Sequence, residues 1–159
     1  MTKKIAVGMA EFEVVHNPCT LEAFGLGACV AICLRDEKTK IASLAHVMLS
    51  DSKEAPTEVN PLRFVDKAVD AMLGSMLALG CRKSDITAKL CGGAEIFPGV
   101  SHLSGMGTMN IDAARKKLAA EGIKIVAEDV GGTCGRSMCF NTETGDVIIR
   151  RIRCKETQI

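Results

Sequence analysis

Three observations predict an α+β fold with mostly antiparallel strand pairing. Many short segments alternate large apolar residues with small or polar ones, only two segments carry a helical apolar stripe, and the two kinds follow one another in mixed order. The 159 residues suit a single domain spanning 1–159, long enough to bury roughly two-thirds of the unfolded surface without disulfides or metal. Hydrophobic residues make up 47% and charged residues 25%, the proportions of an ordinary globular protein. Twenty Lys and Arg against nineteen Asp and Glu leave a formal charge of +1, so no global field draws in nucleic acid or anionic lipid. Trp and Tyr are absent, which removes the stacking platforms of single-strand binders.

No apolar run approaches membrane-spanning length, so membrane insertion is not expected. The apolar stretch at 5–9 is too short for a signal-peptide core, which points to a cytoplasmic protein. Thiols stay reduced there, and the eight cysteines need not pair. No Cys-x-x-Cys occurs, and the Cys29/Cys33 and Cys134/Cys139 spacings suit zinc knuckles poorly. Neither metal nor cofactor is expected.

Residues 5–9 and 12–16 read as two short strands, before the Asn17-Pro18 turn signal. The alternating runs 30–34 and 41–49 form an antiparallel hairpin across the polar turn 36–39. The polar segment 50–60 is a surface loop placed to cover whatever the hairpin presents. Residues 61–79 predict a helix, with Asn60 as N-cap, Pro61 in the first position and Gly80 as the stop. Its stripe of Val65, Ala68, Val69, Met72, Leu73, Met76 and Leu77 faces a core.

A strand at 86–91 ends in Gly92-Gly93, followed by an irregular, glycine-rich loop over 95–107 in which His102 reads as a solvated side chain. The second helix is predicted over 111–121 with Asn110 as its N-cap and Gly122 as its stop. A strand at 123–127 leads to Glu128 and Asp129, which either serve a site or pair with Arg136 in the glycine-rich loop beyond. Strands at 137–141 and 146–153 close the chain as a hairpin, with Arg150, Arg151 and Arg153 on a solvated face.

The chain is organised around Gly25, Leu26, Gly27, Ala28 and Cys29. Two glycines let neighbouring groups approach the backbone, and Cys29 falls where a turn becomes a strand. Amides left unpaired by such a turn can face a developing oxyanion, which suits a nucleophile. A small buried hydrophobe is nonetheless the commoner role for one cysteine among eight. His46, inside the second strand of the hairpin, is the group that would single Cys29 out. Taken by itself it fits a satisfied core histidine as well as a catalytic base.

Gly-Leu-Gly-Ala-Cys-Val-Ala-Ile-Cys-Leu at 25–34, Ala45-His46-Val47-Met48-Leu49, Gly92-Gly93-Ala94 and the run 127–136 (Ala-Glu-Asp-Val-Gly-Gly-Thr-Cys-Gly-Arg) resemble, in order, the CheD family of chemoreceptor glutamine deamidases. The resemblance covers nearly the whole chain. It implies a layered β-sandwich with flanking helices, and a papain-like hydrolytic pair of Cys29 and His46. It further implies glutamine side chains on chemoreceptor signalling helices as substrate, with glutamyl methyl esters as a second class, and a CheC-type phosphatase as partner. The family's threonine, six residues before the cysteine, falls at Ala23, and its usual serine at Ala28. The alternative is therefore a weakly active or inactive module that docks on receptors and a CheC-type phosphatase.

Overall fold

The computed structural model describes residues 2–50, 52–54, 60–100 and 104–159. The expected loop side chain His102, and residues 51 and 55–59 of the expected polar loop, lie outside them. The strands are β1 (Lys3–Ala6), β2 (Glu11–His16), β3 (Cys19–Leu26), β4 (Val30–Asp36), β5 (Ile41–Val47), β6 (Ile86–Gly92), β7 (Lys124–Val130), β8 (Arg136–Asn141), β9 (Val147–Arg150) and β10 (Thr157–Gln158). The helices are α1 (Val65–Ala78) and α2 (Met106–Ala120). One sheet runs β1-β3-β8-β9-β10 and the other β2-β5-β4-β6-β7. Pairing is antiparallel except for β1 beside β3 and β6 beside β7.

Three layers result. Leu21, Ala23, Leu26, Met138, Phe140 and Ile149 of the first sheet meet Ala31, Cys33, Leu44 and Cys91 of the second. The opposite face of the second sheet presents Ile32, Ala45, Val47 and Leu90 to Val69, Met72 and Met76 of α1 and to Ala114 and Leu118 of α2. Strand alternation produces this division, since β4 and β5 are buried on both faces and carry apolar residues almost without interruption. Met72 and Met76 are fully shielded, each burial stabilising by on the order of 2 kcal/mol. Leu77, expected in the stripe, is 42% exposed at its edge.

The hairpin turn is held by Asp36, whose carboxylate accepts from the Lys38 and Thr39 amides at 2.8 and 3.1 Å. Three elements depart from expectation. Asn60 caps a separate 3₁₀ turn, Pro61–Arg63, by accepting from the Leu62 amide, and α1 starts only at Val65. Residues 19–26, which the sequence did not mark as a strand, form the eight-residue β3, alternating inward Cys19, Leu21 and Ala23 with outward neighbours. Helix α2 begins at Met106 behind Gly105, so Asn110 lies inside it and is buried rather than capping it. The carboxylate of Glu95 takes the capping role instead, accepting from the Gly105 and Thr108 amides.

Candidate active site where β3 passes into β4

β3 belongs to one sheet and β4 to the other, so residues 27–29 carry the chain across the sandwich. Each carbonyl of that crossing is tied down. Gly27 O accepts from the Ala94 amide at 2.8 Å, Ala28 O from the Asn110 side-chain amide at 2.9 Å, and Cys29 O from the Gly93 amide at 2.8 Å. The same Asn110 nitrogen donates to Met48 O at 3.0 Å, just past the end of β5. Gly107 brings α2 onto this platform, since a Cβ there would lie 2.6 Å from Ala94 O.

In the β4–β5 register Ala31 stands opposite His46. Cys29 lies two residues before Ala31 and packs against the inter-sheet cluster, so it and His46 are diagonal neighbours on one face. Such neighbours have Cα atoms roughly 7–8 Å apart, within reach of long side chains. His46 is only 3% exposed. Its Nδ1 lies 3.4 Å from the Val7 carbonyl. A carbonyl only accepts, so the proton sits on Nδ1 and the lone pair on Nε2. Nε2 is buried and has no hydrogen-bond partner among the described residues.

Burial lowers the His46 pKa, opposed by the Val7 carbonyl and by Glu11, and burial raises the Cys29 thiol, opposed by its own backbone amide. Both shifts favour the neutral pair. The chemistry such a pair supports is proton removal by His46 as the sulfur attacks, rather than attack by a thiolate formed beforehand. A cleft of about 240 Å³, lined by Val7, Gly8, Met9, Phe24 and Gly25, has His46 in its wall. Across Gly25 lies a second cleft of about 540 Å³, bordered by Gly27, Ile96, Arg136, Arg150 and Ile152.

The buried imidazole has a consequence for stability. Its folded pKa is below the ordinary 6.5, so the unfolded chain takes up a proton first as pH falls. Stability is full above about pH 6.5 and is lost as pH drops toward the folded pKa. Urea midpoints at about pH 7.5 and about pH 5.5 should therefore differ less for His46→Gln than for wild type. Equal pH sensitivity of the two proteins would exclude a buried, neutral His46.

The family model for CheD, described as chemotactic sensory transduction, matches residues 48–151. A chemoreceptor glutamine deamidase CheD of Halalkalibacterium halodurans is 39% identical over 162 aligned positions, covering 100% of both chains. The chain belongs to the CheD family. A probable chemoreceptor glutamine deamidase CheD of Clostridium botulinum is 38% identical, covering 92% of each chain. Among solved structures, a Neisseria meningitidis DUF152 protein shares the fold with a TM-score of 0.53 at 10% identity. The match covers 84% of this chain and 65% of that one.

Within this CheD framework Ala23, where the resemblance puts a threonine, is fully buried in the inter-sheet core opposite Met138. Thr20 lies on the outer face of β3 by alternation. Ser43 donates to Glu13 O and, three residues from His46, lies on the other face of β5. The Val7 carbonyl is thus the group that meets the imidazole. Sequence reading missed both Val7 and Asn110, for nothing local marks a backbone oxygen or a helix-interior amide as part of a site.

The acids near the 131–136 loop have structural partners. Glu128 pairs with Arg115, and Asp129 with Arg136 and Arg151. Arg150 pairs with Glu156. Among the described residues no group of three or more His, Cys, Asp or Glu could hold a metal ion, and no helix is long and apolar enough to cross a membrane. All eight cysteines are free, with Cys134 and Cys154 exposed.

Proposed function

We propose that this protein hydrolyses glutamine side-chain amides on chemoreceptor signalling helices to glutamate and ammonia, with Cys29 as nucleophile and His46 as base, in the cytoplasm. The observation that carries the reading is the shared inter-sheet face of Cys29 and His46, with the imidazole proton held on Nδ1 and Nε2 without a partner among the described residues. Its support from relatives is their name, chemoreceptor glutamine deamidase.

As the sulfur bonds to the amide carbon, Nε2 takes the thiol proton and the carbonyl oxygen becomes an oxyanion. Collapse of that intermediate expels ammonia with the proton returned by His46, leaving a thioester. Water, deprotonated by His46, then attacks the thioester carbon. The thiol leaves reprotonated, and glutamate is released. A receptor glutamyl methyl ester would follow the same course with methanol as leaving group.

A second reading has its own observation. With Ala23 at the threonine place and burial raising the Cys29 thiol, the protein docks on receptors and a CheC-type phosphatase with little turnover. The experiment that separates the readings follows wild type on a receptor cytoplasmic fragment, measuring free ammonia and mapping glutamine-to-glutamate conversion by peptide mass. Ammonia should appear in step with new glutamates. Tight binding of the fragment without either product would select the docking module.

A further inference from the structure

Asn110 has no role in the chemistry above, yet its side chain is only 2% exposed and spends both amide hydrogens on the site. One is donated to Ala28 O at 2.9 Å and the other to Met48 O at 3.0 Å, 82 and 62 positions away in sequence. The two carbonyls flank the chemistry. Ala28 immediately precedes Cys29, and Met48 is two residues beyond His46.

The bond to Ala28 O does more than join two strands. A trans peptide is planar, so its C=O and its N–H point in opposite directions. Holding the Ala28 carbonyl toward α2 therefore turns the Cys29 N–H away from α2. That amide lies close enough to its own sulfur to oppose the effect of burial on the thiol. With the neighbouring carbonyls of Gly27 and Cys29 held by Ala94 and Gly93, the whole crossing has its oxygens directed into the protein. A flip of the Ala28–Cys29 peptide would direct an oxygen, rather than a donor, at the place where negative charge develops.

Resting on the assignment of Cys29 as nucleophile, we propose that Asn110 is a positioning residue for an oxyanion hole: it sets the Ala28–Cys29 peptide plane so that the Cys29 amide donates to the oxyanion of the tetrahedral intermediate. A donor of this kind acts on the transition state and little on substrate binding. Losing one such donor typically costs about 10²- to 10³-fold in kcat.

In Asn110→Ala, kcat for ammonia release from the receptor fragment should fall about 100-fold with KM nearly unchanged. Alkylation of Cys29 by iodoacetamide, which forms no oxyanion, should stay within about twofold of wild type. A folded variant whose kcat is close to wild type overturns the proposal. So does a parallel fall in kcat and alkylation, because the nucleophile itself would then have been displaced. A second measurement needs no variant. A receptor-derived peptide in which an aldehyde replaces the glutamine side-chain amide adds to Cys29 as a hemithioacetal, and in wild type the Cys29 amide proton should move downfield on binding. Addition without that shift overturns the proposal. Ammonia release undiminished in Cys29→Ala would instead defeat the deamidase reading itself, whereas an inactive Cys29→Ala beside a fully active Asn110→Ala defeats only the inference about Asn110.

Discussion

Cys29→Ala should lower ammonia release from receptor glutamines by at least about 10³-fold, because Cys33, the other described cysteine diagonal to His46 on that face, is only 2% exposed in the inter-sheet core and out of a substrate's reach. Hydrolysis without the sulfur would have to proceed by direct attack of water on an amide, with only the hole and the binding surface to assist. Stability should change little. Cys29 is half-buried at the edge of the inter-sheet cluster, so truncation of one sulfur costs on the order of 1 kcal/mol and shifts Tm by a few degrees. Receptor binding should also persist, since one sulfur supplies little contact area. Measured turnover within tenfold of wild type would remove Cys29 from the mechanism. Collapse of the fold would mean that the cysteine is structural after all.

Gly92→Ala should unfold the site from below, with a loss of about 3 kcal/mol or more in urea denaturation. Gly92 has φ +108°, outside the range that side chains tolerate, and a Cβ there would overlap the Cys29 carbonyl. That carbonyl is the acceptor for the Gly93 amide. Relief would have to move either the end of β6 or the peptide of Cys29 itself, so ammonia release should fall with stability. Gly80→Ala supplies the control. Gly80 has φ +99° but open space around it, so it pays only conformational strain, about 1 kcal/mol. If the two variants are equally stable, close approach of β6 to the Cys29 backbone does not hold the site.

These two positions show how differently parts of the site could be read. Cys29 and His46 were marked from sequence by local signals, and the resemblance paired them. The alternating runs and the polar turn at 36–39 place both residues at one hairpin, and the β4–β5 register of the folded chain decides their common face. The body and the C-terminal end of helix α1 and the hairpin of β8 with β9 were legible for the same reason, each having its periodicity within a few residues, whereas the start signals at Asn60 and Pro61 belong to a separate 3₁₀ turn. The start of α2 was not. Glycines at 105 and 107 resemble a loop when read locally, but Gly107 is required for contact with Ala94, and the helix therefore extends back over it. Asn110 consequently changed from an expected cap to a buried donor.

Sequence alone determined the α+β class and the hairpin that holds His46 just beyond Cys29, since periodicity and turn chemistry lie along the chain. Tertiary structure alone decided what surrounds the pair: the Val7 carbonyl on the imidazole, Asn110 on two carbonyls, and Gly92 beneath the Cys29 backbone. Those are contacts between residues distant in sequence, made by groups that every chain carries or by an amide with no local signature. They come into being only when two sheets and a helix pack closely enough that each buried oxygen must find a donor.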